Sequence, residues 1–413
     1  MNKAIGYQCS ICDKTYGLDE VTYTCPDDGG NLSVVLDYDG IKATTSPADI
    51  QASSSQSIWR YLPLLPVGEP GHEKTSLHAV GWTPTFAPTK LSEQTGIKQL
   101  WVKDESRNPT ASFKDRASAL LVVRAAEIDA EITVTASTGN AGAALAGMAA
   151  ATGRKAVIFA PKTAPPAKIA QLLIFGAKVV LVDGTYDDAF DLSVETTKEF
   201  GWYNRNTGYN PFTAEGKKTA AFEIWEQVIL QQDLDRPLCV FVSVGDGNII
   251  SGLHKGFKDL HALGWLEHMP RIFGVQSEGS AAIYNAYAAG TEEIKAVSAT
   301  TLADSISVDL PRDGLRALRA ATQTNGAYIQ VSDEAIISAI ADLGPVGVFA
   351  EPAGSTAYAG VQKALEDGQI TMDDPVLALN TGSGLKDVKA AMQAAGEAPI
   401  IKPDLDAVKE LLN

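Results

Sequence analysis

From about Leu100 onward, apolar runs of strand length alternate with segments whose apolar residues recur at helical spacing. The first series predicts strands over 132–136, 156–160 and 179–182, followed by helices over 141–152, 167–175 and 188–200. A second series predicts strands over 238–244, 271–276 and 376–379, leading into helices over 249–263, 281–289 and 385–395. Such alternation builds βαβ units around parallel sheets. The expected architecture is therefore α/β, with two three-layer lobes facing each other across a cleft. Small molecules bind in such clefts at the C-terminal ends of the strands. A further helix is predicted to open at Lys114, with Ala117, Leu120, Leu121 and Ile128 on its inner face. The first 40 residues read differently, as a small ribbon-like module with short strand pieces such as 32–36. A stretch rich in Ser, Thr and Gln over 44–57 reads as a linker, and the main body begins near Trp59. The expected division is residues 1–40 for the module, 45–116 with 200–413 for a large lobe, and 117–199 for a small mobile lobe.

Composition narrows the functional classes. The chain has 413 residues, 45% of them hydrophobic and 20% charged, enough for a large core divided between lobes. A formal net charge of −16, with no run of Lys and Arg, argues against a nucleic-acid partner. No basic stretch followed by an apolar region opens the chain, and no run of about 18 apolar residues occurs, so a cytoplasmic protein without membrane spans is expected. Three of the four cysteines fall within the first 25 residues, a poor distribution for a disulfide framework and compatible with a reducing compartment. The fourth, Cys239, lies in a strand run and reads as a small buried hydrophobe.

Four segments carry chemistry. Lys114 sits at a helix start, where the dipole and backbone amides disfavour an ammonium; exclusion of water would lower its pKa toward that of a usable nucleophile. The strand ending at Ala136 runs into Ser137, Thr138, Gly139 and Asn140, whose hydroxyls and N–H groups suit a carboxylate. The strand ending at Val244 runs into Gly245, Asp246, Gly247, Asn248 and Ile249 ahead of a helix, a turn that suits a monophosphate better than a dinucleotide. The last strand ends in Asn380-Thr381-Gly-Ser-Gly-Leu-Lys-Asp, another polar turn. One lysine and three such turns match a cofactor that bears an aldehyde, a phosphate and a ring nitrogen.

These segments resemble the threonine synthase branch of the fold-type-II pyridoxal-phosphate enzymes. Asn-Pro-Thr-Ala-Ser-Phe-Lys114-Asp-Arg is similar to the segment that carries the Schiff-base lysine, and Ala-Ser-Thr-Gly-Asn140 to the loop for the substrate carboxylate and the cofactor 3′-oxygen. The resemblance implies pyridoxal 5′-phosphate as cofactor. It places Lys114 as anchor and acid/base, Asn140, Gly245 to Ile249 and Thr381 against the cofactor, and Ser137, Thr138, Gly139 and Lys217 against the substrate. It also implies a homodimer, and a lyase that converts O-phospho-L-homoserine and water to L-threonine and phosphate. Competing readings are an ammonia-lyase for threonine or serine, an O-phosphoserine β-replacement enzyme, and a non-catalytic binding paralogue.

Two departures from the family pattern bear on substrate and metal. The Arg that family members often carry two residues after Asn-Pro is Thr213 here, which removes a bidentate phosphate clamp. Arg205, Lys217 and Arg116 are the candidate replacements. The family's two Cys-x-x-Cys zinc knuckles survive as Cys9, Cys12 and Cys25, with Asp28 in the fourth place. A metal-free structural remnant and a zinc site of three thiolates and one carboxylate are both open readings.

Overall fold

The protein is described from a computed structural model covering residues 3–164 and 166–412. A six-stranded sheet runs in the order Tyr328–Val331, Arg271–Ser277, Cys239–Ser243, Val376–Asn380, Leu100–Asp104, Thr85–Phe86. Its first five strands are parallel, and only the short edge strand Thr85–Phe86 is antiparallel. A second, fully parallel sheet orders Lys178–Val182, Lys155–Pro161, Ile132–Ala136, Tyr203–Asn204. The central strands Cys239–Ser243 and Val376–Asn380 are buried at every position, as strands covered on both faces must be.

Helices join the two sheets and aim their turns at one another. Lys114–Glu127 has no Gly or Pro inside it and ends before Asp129, which takes a left-handed φ of 53°. Most of its residues are buried, but Ile128 lies beyond its last turn and is 41% exposed, so it does not belong to the inner face expected of it. Helix Phe212–Lys217 packs against this helix because residue 216 is glycine: a Cβ there would collide with the Arg116 carbonyl and lie 2.8 Å from Ala117 Cα. That close approach brings Lys217 to the same cleft as Lys114.

The N-terminal module is a three-stranded antiparallel sheet, with Ala4–Cys9 between Thr15–Tyr16 and Leu32–Leu36. The polar stretch after it is more ordered than a linker. Pro47–Gln51 is helical, with Ser46 and Asp49 forming a reciprocal capping box, and Ile50 is buried. Arg60 then ties the segment down by donating to the carbonyls of Ile50, Ser53 and Ser55. The predicted helix 385–395 divides into a 3-10 turn, Gly384–Lys386, and a helix, Val388–Ala395. No helix among the described residues is long and apolar enough to cross a membrane.

Candidate active site

The parallel strands deliver their C-terminal turns to one cleft of about 800 Å³. Lys114, Ser137, Thr138, Gly139, Asn140, Lys217, Gly245 through Ile249 and Thr381 all line it. The lysine loop is pinned from two sides. The Phe113 N–H donates to Thr381 O at 2.9 Å, and Ser112 bridges to Gly382. The buried Asp115 carboxylate accepts the Thr110 N–H at 2.6 Å and also its hydroxyl, which closes the loop ahead of the helix.

Burial pushes the Lys114 amine down to about 8, with the Glu351 carboxylate opposing and Arg205 assisting that shift. A sizeable neutral fraction therefore exists near neutral pH, as a nucleophile requires. Glu351 was not anticipated as a site residue. It caps the helix Pro352–Glu366, its N–H donates to Gly382 O at 3.0 Å, and its Oε1 accepts Asn140 Nδ2 at 2.7 Å. Burial pushes this carboxyl up to about 7, opposed by Lys114. The signal in the sequence was the Glu-Pro pair opening a helix of small residues.

The turn Gly245 to Ile249 has the form of an anion cup at the start of helix Asn248–Ala262. Gly247 adopts φ +89°, and a Cβ there would meet Ala317 Cβ at 2.6 Å and Asp313 O at 2.7 Å. Only glycine fits that backbone without displacement. The Asp246 carboxylate also lines the cleft and accepts the Arg312 N–H at 3.3 Å. Asn248 accepts Lys217 Nζ at 2.6 Å and donates to Asp313 Oδ2 at 2.6 Å.

The proposed substitutes for the missing arginine separate. Arg205 lines the cleft together with Lys217. Arg116 does not: it is fully buried between Glu105 at 2.7 Å and Glu223 at 2.5 Å. Thr213 spends its hydroxyl on Asn210 O at 2.7 Å. Away from the cleft, the Cys9, Cys12 and Cys25 sulfurs and an Asp28 carboxylate oxygen lie within 4.8 Å of one another. Asp27 points outward to Lys14 at 2.7 Å. Cys239 is a buried free thiol.

A cleft with a depressed lysine, a glycine anion cup, a neutral hydroxyl at Thr381 and a buried donor without a partner at Ser243 Oγ, next to that cup, fits pyridoxal phosphate. A family model described as pyridoxal-phosphate dependent enzyme matches residues 77–382. The threonine synthase of Methanocaldococcus jannaschii is 37% identical over 98% of each chain. This chain belongs to the threonine synthase family of pyridoxal-phosphate dependent enzymes. Other threonine synthases agree: that of Methanosarcina acetivorans is 34% identical over 98% of each chain, and that of Mycobacterium tuberculosis is 33% identical over 86% of this chain and 95% of the relative. Among solved structures, the processed form of threonine deaminase isoform 2 from Solanum lycopersicum superposes with a TM-score of 0.66 at 24% identity, covering 84% of this chain and 95% of that one. Maize serine racemase gives 0.66 at 23% identity, covering 78% and 94%. These two structures show that the threonine synthase family member described here has the fold-type-II architecture.

Proposed function

We propose that this chain converts O-phospho-L-homoserine and water to L-threonine and phosphate, eliminating phosphate from the γ carbon and adding water at the β carbon. The observation that carries this reading is full-length similarity to threonine synthases combined with a cleft in which two buried cations, Arg205 and Lys217, make no ion pair among the described residues. When bound, pyridoxal phosphate supplies an aldehyde that captures an amino group and a ring that delocalises electron density. Lys114 is its attachment point and carries protons to and from the substrate α and β carbons. Asn140, held by Glu351, would meet the cofactor 3′-oxygen, the amides of Gly245 to Ile249 would hold its phosphate, and the neutral Thr381 hydroxyl would serve its ring nitrogen. Ser137, Thr138 and Gly139 hold the substrate carboxylate, and Lys217 contributes charge on the substrate side.

The chain is further proposed to act in the cytoplasm as a homodimer, without nucleic acid. Its large lobe (45–116 and 200–413) and small lobe (117–199) are proposed to close on the substrate. The Cys9, Cys12, Cys25 and Asp28 cluster supports the zinc reading over the remnant, because four donors converge at one point. Metal analysis of purified protein would then give one zinc per chain, and none under chelator-free conditions would refute it. The reaction itself is tested with 18O-labelled water. The expected products are threonine labelled at its hydroxyl and unlabelled phosphate; label in the phosphate instead would mean P–O hydrolysis and would overturn the proposal.

A further inference from the structure

A buried cation is normally met by an anion. Arg60, Lys103, Arg116 and Lys218 are buried here, and each has a carboxylate partner. Arg205 and Lys217 are buried as deeply and have none among the described residues. Arg205 follows the strand Tyr203–Asn204, and its N–H donates to Val134 O at 2.7 Å, which fixes it on the four-stranded sheet. Its Nε donates to Ser118 Oγ at 3.3 Å and its Nη1 to Thr207 Oγ1 at 2.9 Å, while Nη2 is buried without a partner. Lys217 spends Nζ on the single bond to Asn248. Burial holds Arg205 down at about 10 and Lys217 well below its ordinary value, and Arg205 and Lys114 repel Lys217 further. A dianion entering the cleft would relieve that repulsion.

We infer that Arg205, backed by Lys217, forms the subsite for the phosphate of the substrate, so that the cleft selects a phosphorylated amino acid over a hydroxylated one. The inference rests on the threonine synthase reading for the identity of the substrate. A guanidinium offers paired N–H groups to a phosphate, and an ammonium adds a point charge. The cofactor phosphate has its own cup of backbone amides on the six-stranded sheet, whereas Arg205 enters from the four-stranded one.

The test compares wild-type holoenzyme with Arg205→Gln and Arg205→Lys. It measures binding of inorganic phosphate by calorimetry, KM for O-phosphohomoserine, and the cofactor dissociation constant by fluorescence titration. Arg205→Gln should weaken phosphate binding and raise KM by about 10- to 100-fold, the equivalent of a lost charged hydrogen bond. Cofactor affinity should stay within about threefold, and Arg205→Lys, which keeps the charge, should fall between. Unchanged phosphate binding, or a loss of cofactor affinity that matches the loss of phosphate binding, would overturn the inference. If wild-type protein binds phosphate through Arg205 but does not turn over O-phosphohomoserine, the anion subsite stands and the substrate reading falls. If it turns over that substrate while phosphate binding ignores Arg205, this inference alone falls.

Discussion

Two clusters of cations lie almost side by side in the sequence and have opposite surroundings. In the first, Arg116 is gripped by Glu105 and Glu223, Lys103 reaches Glu223 at 2.8 Å, and Lys218 reaches Asp259 at 2.8 Å. In the second, Lys114, Arg205 and Lys217 share a cleft and make no ion pair among the described residues, Glu351 acting on Lys114 without a direct salt bridge. Lys114 and Arg116 are two positions apart on one helix, and Lys217 and Lys218 are neighbours. Positions one or two apart on a helix point in different directions, so each pair sends one cation into the protein and one into the cleft. Neutralised charge holds helices and sheet together, whereas unneutralised charge is kept for something that binds. The first should therefore govern stability and the second chemistry.

Lys114→Ala should give the largest effect. Activity should fall at least roughly 10²- to 10⁴-fold, the range for losing a positioned acid/base, and the visible absorbance of covalently held cofactor should vanish. The fold should survive, because the apoprotein loses only a cation that burial disfavours. A thermal melt showing large destabilisation would break the comparison from the cleft side. Arg116→Met breaks it from the other side: Glu105 would remain buried without a cation and Glu223 would keep only Lys103, at a cost of about 3–5 kcal/mol in urea unfolding. Stability within about 1 kcal/mol of wild type would show that this network holds nothing together.

Gly247→Ala is expected to be milder. Forcing a side chain into the left-handed region costs about 1–2 kcal/mol and its Cβ must also displace Ala317 and the Asp313 carbonyl, so cofactor affinity should drop at least roughly tenfold in a titration while catalysis by the loaded enzyme changes little. The smallest effect concerns pH. Only neutral Lys114 can attack an aldehyde, so cofactor capture by apoprotein should accelerate as pH rises and level off above about 8. The Glu351 carboxylate raises the Lys114 pKa, so Glu351→Gln should move that midpoint downward. A midpoint that moves up, or stays put, would remove Glu351 from the electrostatics of the cleft.

Much of this was legible in the sequence where local pattern and local chemistry coincide. The strands before Ser137, Gly245 and Thr381 are short apolar runs stopped by polar turns, and the structure places all three turns on one cleft. Long-range neighbours were harder to read. Arg116 looked as available as Arg205, because nothing local shows that Glu223, over a hundred residues away, will claim it. Glu351 escaped because its role depends on Asn140 and Lys114, which the fold brings together from distant segments. Tyr328–Val331 is only four residues long and gives too little periodicity to register as a strand. The polar stretch after the module hid a helix because its apolar contribution to the core is one buried residue, Ile50.

The most direct test of the account is a comparison of kcat/KM for O-phosphohomoserine, O-phosphoserine with sulfite, threonine and serine on pure holoenzyme, following phosphate, oxo acid and amino-acid products. The account predicts that threonine and phosphate form in equal amounts from O-phosphohomoserine, at a kcat/KM well above that of the other three. Oxo acid from threonine or serine, or phosphate from O-phosphoserine, as the favoured outcome would contradict it.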